Sequence, residues 1–124
     1  MKSKNLKVVI FFILVFFSGV IIFYLDNEHN RFSDRKIKNS IVTGYEIISA
    51  VKRYHKEKGE FPRSLDELMP EYISKIKNPQ AGEKEWKYIK KNDSFYLGIM
   101  RKNLSEPHCY YSLVLNEWLV ELPQ

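Results

Sequence analysis

Three histidines and one cysteine are the side chains of this chain that most often take part in chemistry. His29, His55 and His108 are scattered, and none lies in a nucleophile motif or at a metal-ligand spacing. Cys109 follows His108 directly, but neighbouring residues of a strand point to opposite faces and rarely share a metal ion. Because Cys109 is the only cysteine, no internal disulfide can form. We interpret it as a small buried residue, with intermolecular pairing as the alternative.

Carboxylate pairs for general acid–base catalysis would have to come from two acidic groups. Asp66, Glu67 and Glu71 are typical of charges near the beginning of a helix, where they complement its dipole. Glu83 and Glu85 precede a run of strand-forming residues and are expected to be solvated. The chain also has no glycine-rich phosphate-binding loop. The sequence therefore predicts no catalytic residue, no cofactor and no metal ion, and we expect a protein that is not an enzyme.

One segment mixes basic and aromatic residues, as proteins that bind single-stranded nucleic acids do. The residues concerned are Lys84, Trp86, Lys87, Tyr88, Lys90, Lys91 and Tyr96. Glu83, Glu85 and Asp93 dilute this positive charge. We interpret Trp86 and Tyr88 as core residues and the lysines as a solvated face, so no nucleic-acid partner is predicted.

An apolar segment near the beginning of the chain predicts a membrane anchor. Residues 8–25 contain no charged side chain and are interrupted only by Ser18 and Gly19. As a helix, these 18 residues would be about 27 Å long, close to the roughly 30 Å hydrocarbon layer of a bilayer. A cleaved signal peptide would have a shorter apolar run that ends in small residues, and Phe23 to Asp26 offer no such site. The lipid bilayer is therefore a predicted partner, bound through residues 8–25.

The charges on the two sides of the anchor predict its orientation. Three lysines lie within residues 1–7, whereas Asp26 and Glu28 follow the anchor directly. By the positive-inside rule, the tail of residues 1–7 lies in the cytoplasm, and the C-terminal domain is periplasmic or extracellular. After the anchor, 17 basic and 15 acidic residues leave a net charge of only +2. The charge of +5 for the whole chain therefore does not indicate nucleic-acid binding.

A long amphipathic helix is predicted to open the C-terminal domain of residues 35–124. The polar residues 26–34 before it form either a linker or a continuation of the membrane helix. Within residues 35–58, apolar residues recur at the three- and four-residue steps of one helix face, namely Ile37, Ile41, Tyr45, Ile48, Val51 and Tyr54. Gly59 is predicted to end this helix in a left-handed conformation.

A second, short helix is predicted after this glycine. Ser64 and Glu67 have the spacing of a capping box, so the helix should begin at Leu65. Leu65 and Leu68 are three residues apart, and both are expected to point into the core.

The rest of the chain alternates between apolar and polar residues, which predicts four strands. The four runs are Trp86–Ile89, Phe95–Ile99, Tyr111–Leu115 and Trp118–Leu122. Their short connections favour an antiparallel sheet in sequence order. The predicted fold class is α+β, with an N-terminal transmembrane helix and a long amphipathic helix packed on a four-stranded antiparallel sheet.

This order of elements carries a resemblance to a known family. The membrane helix and amphipathic helix are followed by Gly59-x-Phe61-Pro62-x2-Leu65-x2-Leu68, and later by Trp86-x-Tyr88 and Phe95-x-Leu97. Over about residues 37–99, the chain resembles the globular part of the type II secretion major pseudopilin and related type IV pilin-like proteins. The resemblance implies a pilin-like fold and, more weakly, a function in assembly.

Other features of that family do not transfer to this chain. Its members are cleaved at a glycine just before the apolar helix and carry a glutamate at the fifth position after the cut. Here no glycine precedes Val8, Gly19 lies inside the apolar segment, and the fifth residue beyond it is Tyr24. The family's calcium loop is acidic, whereas residues 101–124 contain three glutamates and no aspartate. Neither prepilin cleavage nor a calcium site is therefore expected.

Protein interaction is the function class that the sequence favours most. We expect a membrane-anchored, non-enzymatic, pilin-like protein that acts in assembly, in a type II secretion or surface-fibre system, with subunits of that system as partners. The candidate interaction surface comprises Ile37, Ile41, Tyr45, Ile48, Tyr96, Tyr110 and Trp118. The helix residues would contact neighbours or cover the sheet, and the aromatic residues would be exposed or fill the core. The alternative is a stand-alone anchored binding domain for a small ligand or an envelope polymer.

Overall fold

The first element of the structure is one long helix. The structure, a computed structural model, describes residues 2–123, without the side chains of residues 2 and 29–32. Helix α1 covers Lys2–Lys58. The chain divides into two units after Asp34, so the first unit is helical throughout its described residues, and the second contains the end of α1 and all that follows.

The apolar segment predicted to be an anchor forms one helix with exposed side chains. An 18-residue window of α1 reaches a mean hydropathy of 3.0, and Phe11, Phe16 and Phe23 are all exposed. The Ser18 hydroxyl donates a hydrogen bond to the Val15 carbonyl at 2.8 Å, which satisfies it inside the helix. Near the N-terminus, the chain therefore has a helix that is long and apolar enough to span a membrane.

In the second unit, the buried face of α1 is offset from the predicted one. Ser40, Gly44, Ile47 and Val51 are buried, whereas Tyr45 is 47% exposed. The offset arises because small residues, which the apolar pattern does not count, make the closest contacts.

Ser40 illustrates how a small polar residue takes a buried position. Its hydroxyl donates to the Lys36 carbonyl at 2.7 Å and accepts hydrogen bonds from the backbone N–H groups of Gln80 and Ala81 at 2.8 and 3.1 Å. Every hydrogen-bonding position of this hydroxyl is therefore used, which allows complete burial.

The end of α1 confirms the predicted glycine cap. Gly59 has a φ of 77°, and its N–H donates to the His55 carbonyl at 2.9 Å. The His55 ring stacks on Phe61, with ring centroids 4.1 Å apart. This turn directs the chain back towards the side of α1 that faces the sheet.

The predicted second helix is a single 3₁₀ turn over Leu65–Leu68. Leu68 is completely buried, as predicted, and Leu65 is half-buried. The predicted capping box is not formed, because the Ser64 side chain makes no cap hydrogen bond, and the Glu67 carboxylate accepts one at 2.7 Å from the N–H of Arg63, the residue before the N-cap.

The predicted four-stranded antiparallel sheet is confirmed. Its strands are β1 (Trp86–Lys90), β2 (Phe95–Ile99), β3 (His108–Ser112) and β4 (Glu117–Glu121), in sequence order. One row across the sheet runs from Tyr88 through Leu97 and Tyr111 to Trp118. Since this inner face shares one core with the buried residues of α1, the fold class is α+β.

The third strand begins and ends earlier than predicted. The sequence favours Tyr111–Leu115, but β3 is His108–Ser112, and a turn occupies residues 113–116. Val114 is 94% exposed in this turn, and Asn116 has a φ of 56°, a conformation that asparagine tolerates. The alternating leucines of the turn imitate a strand pattern, which explains the shift.

Candidate functional site

Two surfaces of the second unit present side chains to the outside, and the first is the outer face of the sheet. Strand residues alternate between the two faces, so the neighbours of the core residues point away from α1. The outer face comprises Lys87, Ile89, Tyr96, Gly98, His108, Tyr110, Leu119 and Glu121.

A hydrogen-bonded network crosses the outer face from β2 to β4. The Tyr96 hydroxyl lies 2.7 Å from His108 Nε2, and His108 Nδ1 lies 3.5 Å from a Glu121 oxygen. The Tyr110 hydroxyl donates to the other Glu121 oxygen at 2.8 Å. A neutral imidazole with its proton on Nδ1 would leave Nε2 to accept from Tyr96. The network therefore joins three strands through side chains as well as backbone.

The two tyrosine rings of this network lie side by side. Their centroids are 6.0 Å apart and their planes differ by 20°. A Cβ atom on Gly98 would lie 2.4 Å from the Tyr96 hydroxyl oxygen and 2.9 Å from Cζ. The absence of a side chain at Gly98 therefore lets the Tyr96 ring lie against the backbone of β2.

The protonation of the tyrosines limits what the network can do chemically. Burial raises the pKa of Tyr96, although the positive charge of Arg101 opposes this shift. The hydrogen bond to Glu121 is the largest cause of the raised pKa of Tyr110. Both phenols are therefore protonated at neutral pH, so the arrangement supplies hydrogen bonds and a flat aromatic surface rather than a phenolate nucleophile.

A basic groove adjoins this network. It has a volume of about 590 Å³, and its cationic lining residues are Lys87, Lys91, Arg101 and Lys102. Among the described residues, none of these four lies within salt-bridge distance of a carboxylate. The groove therefore concentrates unpaired positive charge, which suits an anionic ligand.

The second surface lies along the free side of β4. We use the name edge surface for Val42, Tyr45, Trp118, Val120 and Leu122. The rings of Tyr45 and Trp118 are in contact, with centroids 6.4 Å apart. Val42 shares the helix flank of Tyr45, and Val120 and Leu122 continue the face of Trp118 along the chain. All but Trp118 are exposed, so the edge surface is an apolar patch.

Trp118 connects the edge surface to the core. Its ring approaches α1 so closely that a Cβ atom on Gly44 would lie 2.2 Å from Cζ2. The same ring contacts Tyr111, with centroids 6.0 Å apart. Its Nε1 atom is buried and has no acceptor among the described residues. Trp118 is therefore fixed in position, and it holds β4 against the helix.

The structure distributes the predicted interaction residues over separate places. Tyr45 and Trp118 belong to the edge surface, and Tyr96 and Tyr110 belong to the outer face. The remaining three belong to α1, where Ile48 is buried and Ile37 and Ile41 are half-buried.

Sequence reasoning missed several members of the two surfaces, namely Val42, His108, Val120 and Glu121, and it missed Arg101 and Lys102 of the basic groove. The alternation of His108 with Tyr110 is the signal that places the histidine on the outer face, once β3 is known to begin there. The side chain of His29 lies outside the described residues. His108 and Cys109 point to opposite faces, and no group of three metal-ligating side chains comes together in the described part of the chain.

Cys109 gives a first prediction. Its thiol is 2% exposed on the inner face, and burial raises its pKa to about 11. An ordinary thiol with a pKa near 9 holds about a hundredfold more thiolate at pH 8. We therefore expect iodoacetamide to alkylate the folded chain at pH 8 at least about a hundredfold more slowly than the chain unfolded in urea. Mass spectrometry would measure the two alkylation rates. Equal rates in the folded and unfolded chain would contradict the buried position of the thiol.

Comparison with protein-family models, with curated proteins and with solved structures gives no match.

Proposed function

We propose that this chain is a membrane-anchored, non-enzymatic, pilin-like protein that acts in assembly or protein interaction. Its partners would be subunits of a secretion or surface-fibre system. The observation that carries the proposal is the edge surface, where the free edge of β4 lies beside exposed apolar side chains.

The backbone of β4 supports this role. Within the described residues, β4 pairs with β3 alone, so one side of the strand has free N–H and C=O groups. Such an edge is a template for pairing with another chain, and monomeric proteins usually protect it with charges, bulges or a covering segment. Here Glu117 and Glu121 lie at the two ends of β4, but Val120 between them is apolar and 44% exposed directly on the edge. Addition of a strand at this position would bury both the backbone groups and the apolar side chains.

The segment that carries the pilin-like resemblance has a structural role at each position. Gly59 ends α1 with a positive φ, and Phe61, Pro62 and Leu68 are buried. These roles support a pilin-like interpretation of the second unit. The lysines before the apolar segment favour an anchor with its N-terminus in the cytoplasm and the second unit in the periplasm or outside the cell.

The basic groove favours a second candidate function, an anchored domain that binds a small ligand or an envelope polymer. Its four unpaired cations would bind phosphate or carboxylate groups, and the Tyr96 ring would offer a flat surface beside them. This function needs no contact at the edge surface, so experiments can separate the two.

A charge placed at the edge surface tests the assembly function. In Val120→Glu, a partner would have to bury an unpaired carboxylate, so we expect the yield of cross-linked complexes in native membranes to fall at least about tenfold. The matched control is Val114→Glu, which places the same charge on an exposed apolar residue in the turn of residues 113–116, outside the edge surface, the outer face and the basic groove. Its complexes should form as in the parent chain.

Two results would contradict this proposal. One is an equal loss of complexes in both variants, which would indicate a general effect of the added charge. The other is the absence of any cross-linked partner for the parent chain. If that chain also bound polygalacturonate in a salt-dependent manner, the result would favour the second candidate function.

A further inference from the structure

We infer that the partner at β4 is a second copy of this chain, whose β1 continues the sheet of the first. The inference rests on the proposed function, because it names the partner that covers the edge surface. Each copy would use two different edges, β4 towards one neighbour and β1 towards the other. Charge, backbone hydrogen bonding and side-chain type all select the same register for this contact.

The two free edges of the sheet carry opposite charges. Lys87 and Lys91 alternate with the core residues of β1 and so share the outer face, where Glu117 and Glu121 project from β4. Antiparallel pairing of β4 with the neighbouring β1 would set Lys87 opposite Glu121 and Lys91 opposite Glu117. Opposite charges across a strand pair are stabilising, and like charges are destabilising. A contact between β4 and β1 is therefore favoured over contacts between two identical edges.

The same register joins the free backbone groups, beginning with those of β1. The Met100 N–H donates to the Glu85 carbonyl at 3.0 Å, and the Lys91 N–H donates to the Ser94 carbonyl at 2.9 Å. Since bonding groups alternate between the two sides of a strand, the odd-numbered residues of β1 bond to β2. The even-numbered residues, such as Tyr88, direct their N–H and C=O groups to the free edge.

The alternation continues across the sheet to β4. Leu97 directs its backbone groups to β3, where it pairs with Tyr111, so Tyr110 directs its groups to β4 and pairs with Leu119. Val120 then directs its groups to the free edge. The register that pairs the charges sets Val120 opposite Tyr88 of the neighbour, so the free donors and acceptors of both edges would meet.

The apolar side chains also match in this register. Ile89 would lie opposite Leu119 on the outer face, and Trp86 would lie opposite Leu122 on the inner face. Ile89 and Leu122 are exposed in the single chain and would be covered by the contact. Because each copy has four strands, a copy placed beside another in the same orientation continues the antiparallel alternation. Such a head-to-tail contact does not close on itself and can extend into a row.

Zero-length cross-linking tests the register directly. A carbodiimide joins a lysine amine and a carboxylate only where they touch. The full chain would be reconstituted into neutral phosphatidylcholine vesicles as an equal mixture of light and heavy-isotope-labelled copies. We expect cross-linked peptides that join Lys91 to Glu117 and Lys87 to Glu121, with one light and one heavy partner. The absence of these mixed peptides, or mixed peptides that join β4 to β4, would overturn the inference.

Charge reversal with compensation is the second test. Lys91→Glu and Glu117→Lys would each set like charges at one pair, and we expect self-association to fall at least about fivefold in each. A mixture of the two variants pairs opposite charges again and should recover to within about twofold of the parent. The control Lys75→Glu makes the same charge change at an exposed lysine outside the sheet and should have no effect. Failure of the mixture to recover would overturn the inference.

These outcomes differ from failure of the proposed function. If complexes with other proteins form and are lost in Val120→Glu, but the chain does not associate with itself, the assembly function stands. The inference that the partner is a second copy is then rejected. Complexes that are unaffected by Val120→Glu would reject both. Slow alkylation of Cys109 at pH 8 serves as the folding control for every variant.

Discussion

The Gly82→Ala variant is expected to lose about 3 kcal/mol or more of its free energy of unfolding. Gly82 has a φ of 61°, which is unfavourable for alanine, and a Cβ atom there would lie 2.1 Å from the Met100 carbonyl oxygen. That carbonyl cannot move freely, because it accepts a hydrogen bond from the Glu83 N–H at 2.8 Å. The backbone strain and the steric conflict both destabilise the folded state, so their effects on the free energy of unfolding add.

Gly59→Ala is the matched control for this effect. Gly59 has a φ of 77°, but a Cβ atom there would meet nothing within 4 Å. Only the strain of the positive φ remains at this position, so we expect the free energy of unfolding to fall by about 1 kcal/mol. Urea unfolding of the full chain in neutral detergent, followed by tryptophan fluorescence, would measure both values. An equal loss in the two variants would mean that the contact with the carbonyl is absent.

Leu68→Ala is expected to lower the free energy of unfolding by about 3 kcal/mol, within the usual range of 2–5 kcal/mol for such a truncation. Leu68 is fully buried in the core cluster that also contains Ile47, Val51 and Leu97. Its removal leaves a cavity in that cluster, which close-packed neighbours can fill only in part.

Leu65→Ala supplies the comparison within the same turn. Leu65 is half-buried at the margin of the core, so we expect roughly half the loss that Leu68→Ala produces. The same urea titration measures both variants. A larger loss of free energy of unfolding for Leu65→Ala would indicate that the turn faces the core through Leu65 rather than Leu68.

The elements of this fold were predictable where one residue type or one period decides the outcome. Gly59 ends α1 as expected, and the alternation in β1 and β2 identifies both strands. The buried face of α1 was not predictable in the same way, because Ser40 and Gly44 contribute to the core through small size and hydrogen bonds rather than apolar surface. The predicted position of β3 was wrong because the turn after this strand contains leucines at every second residue, as a strand would.

The candidate site was predictable only in its single residues. Tyr96 and Tyr110 were candidates for an exposed face of the sheet, with the core as the alternative, and their link through His108 and Glu121 depends on the register of β3 with β4. Spacing along the chain does not determine that register, since β3 begins three residues before the predicted strand. The basic groove likewise combines β1 with the loop after β2, which only the antiparallel pairing of β1 with β2 brings together.

The offset face of α1 has a consequence for the abundance of the protein in a cell. Because the small Ser40 and Gly44 occupy the buried side, the larger Val42 and Tyr45 remain uncovered in the single chain. Uncovered apolar surface is what chaperones and proteases recognise and what drives aggregation. Under the proposed assembly function, we therefore expect chain made in excess of its partner to be degraded rather than stored.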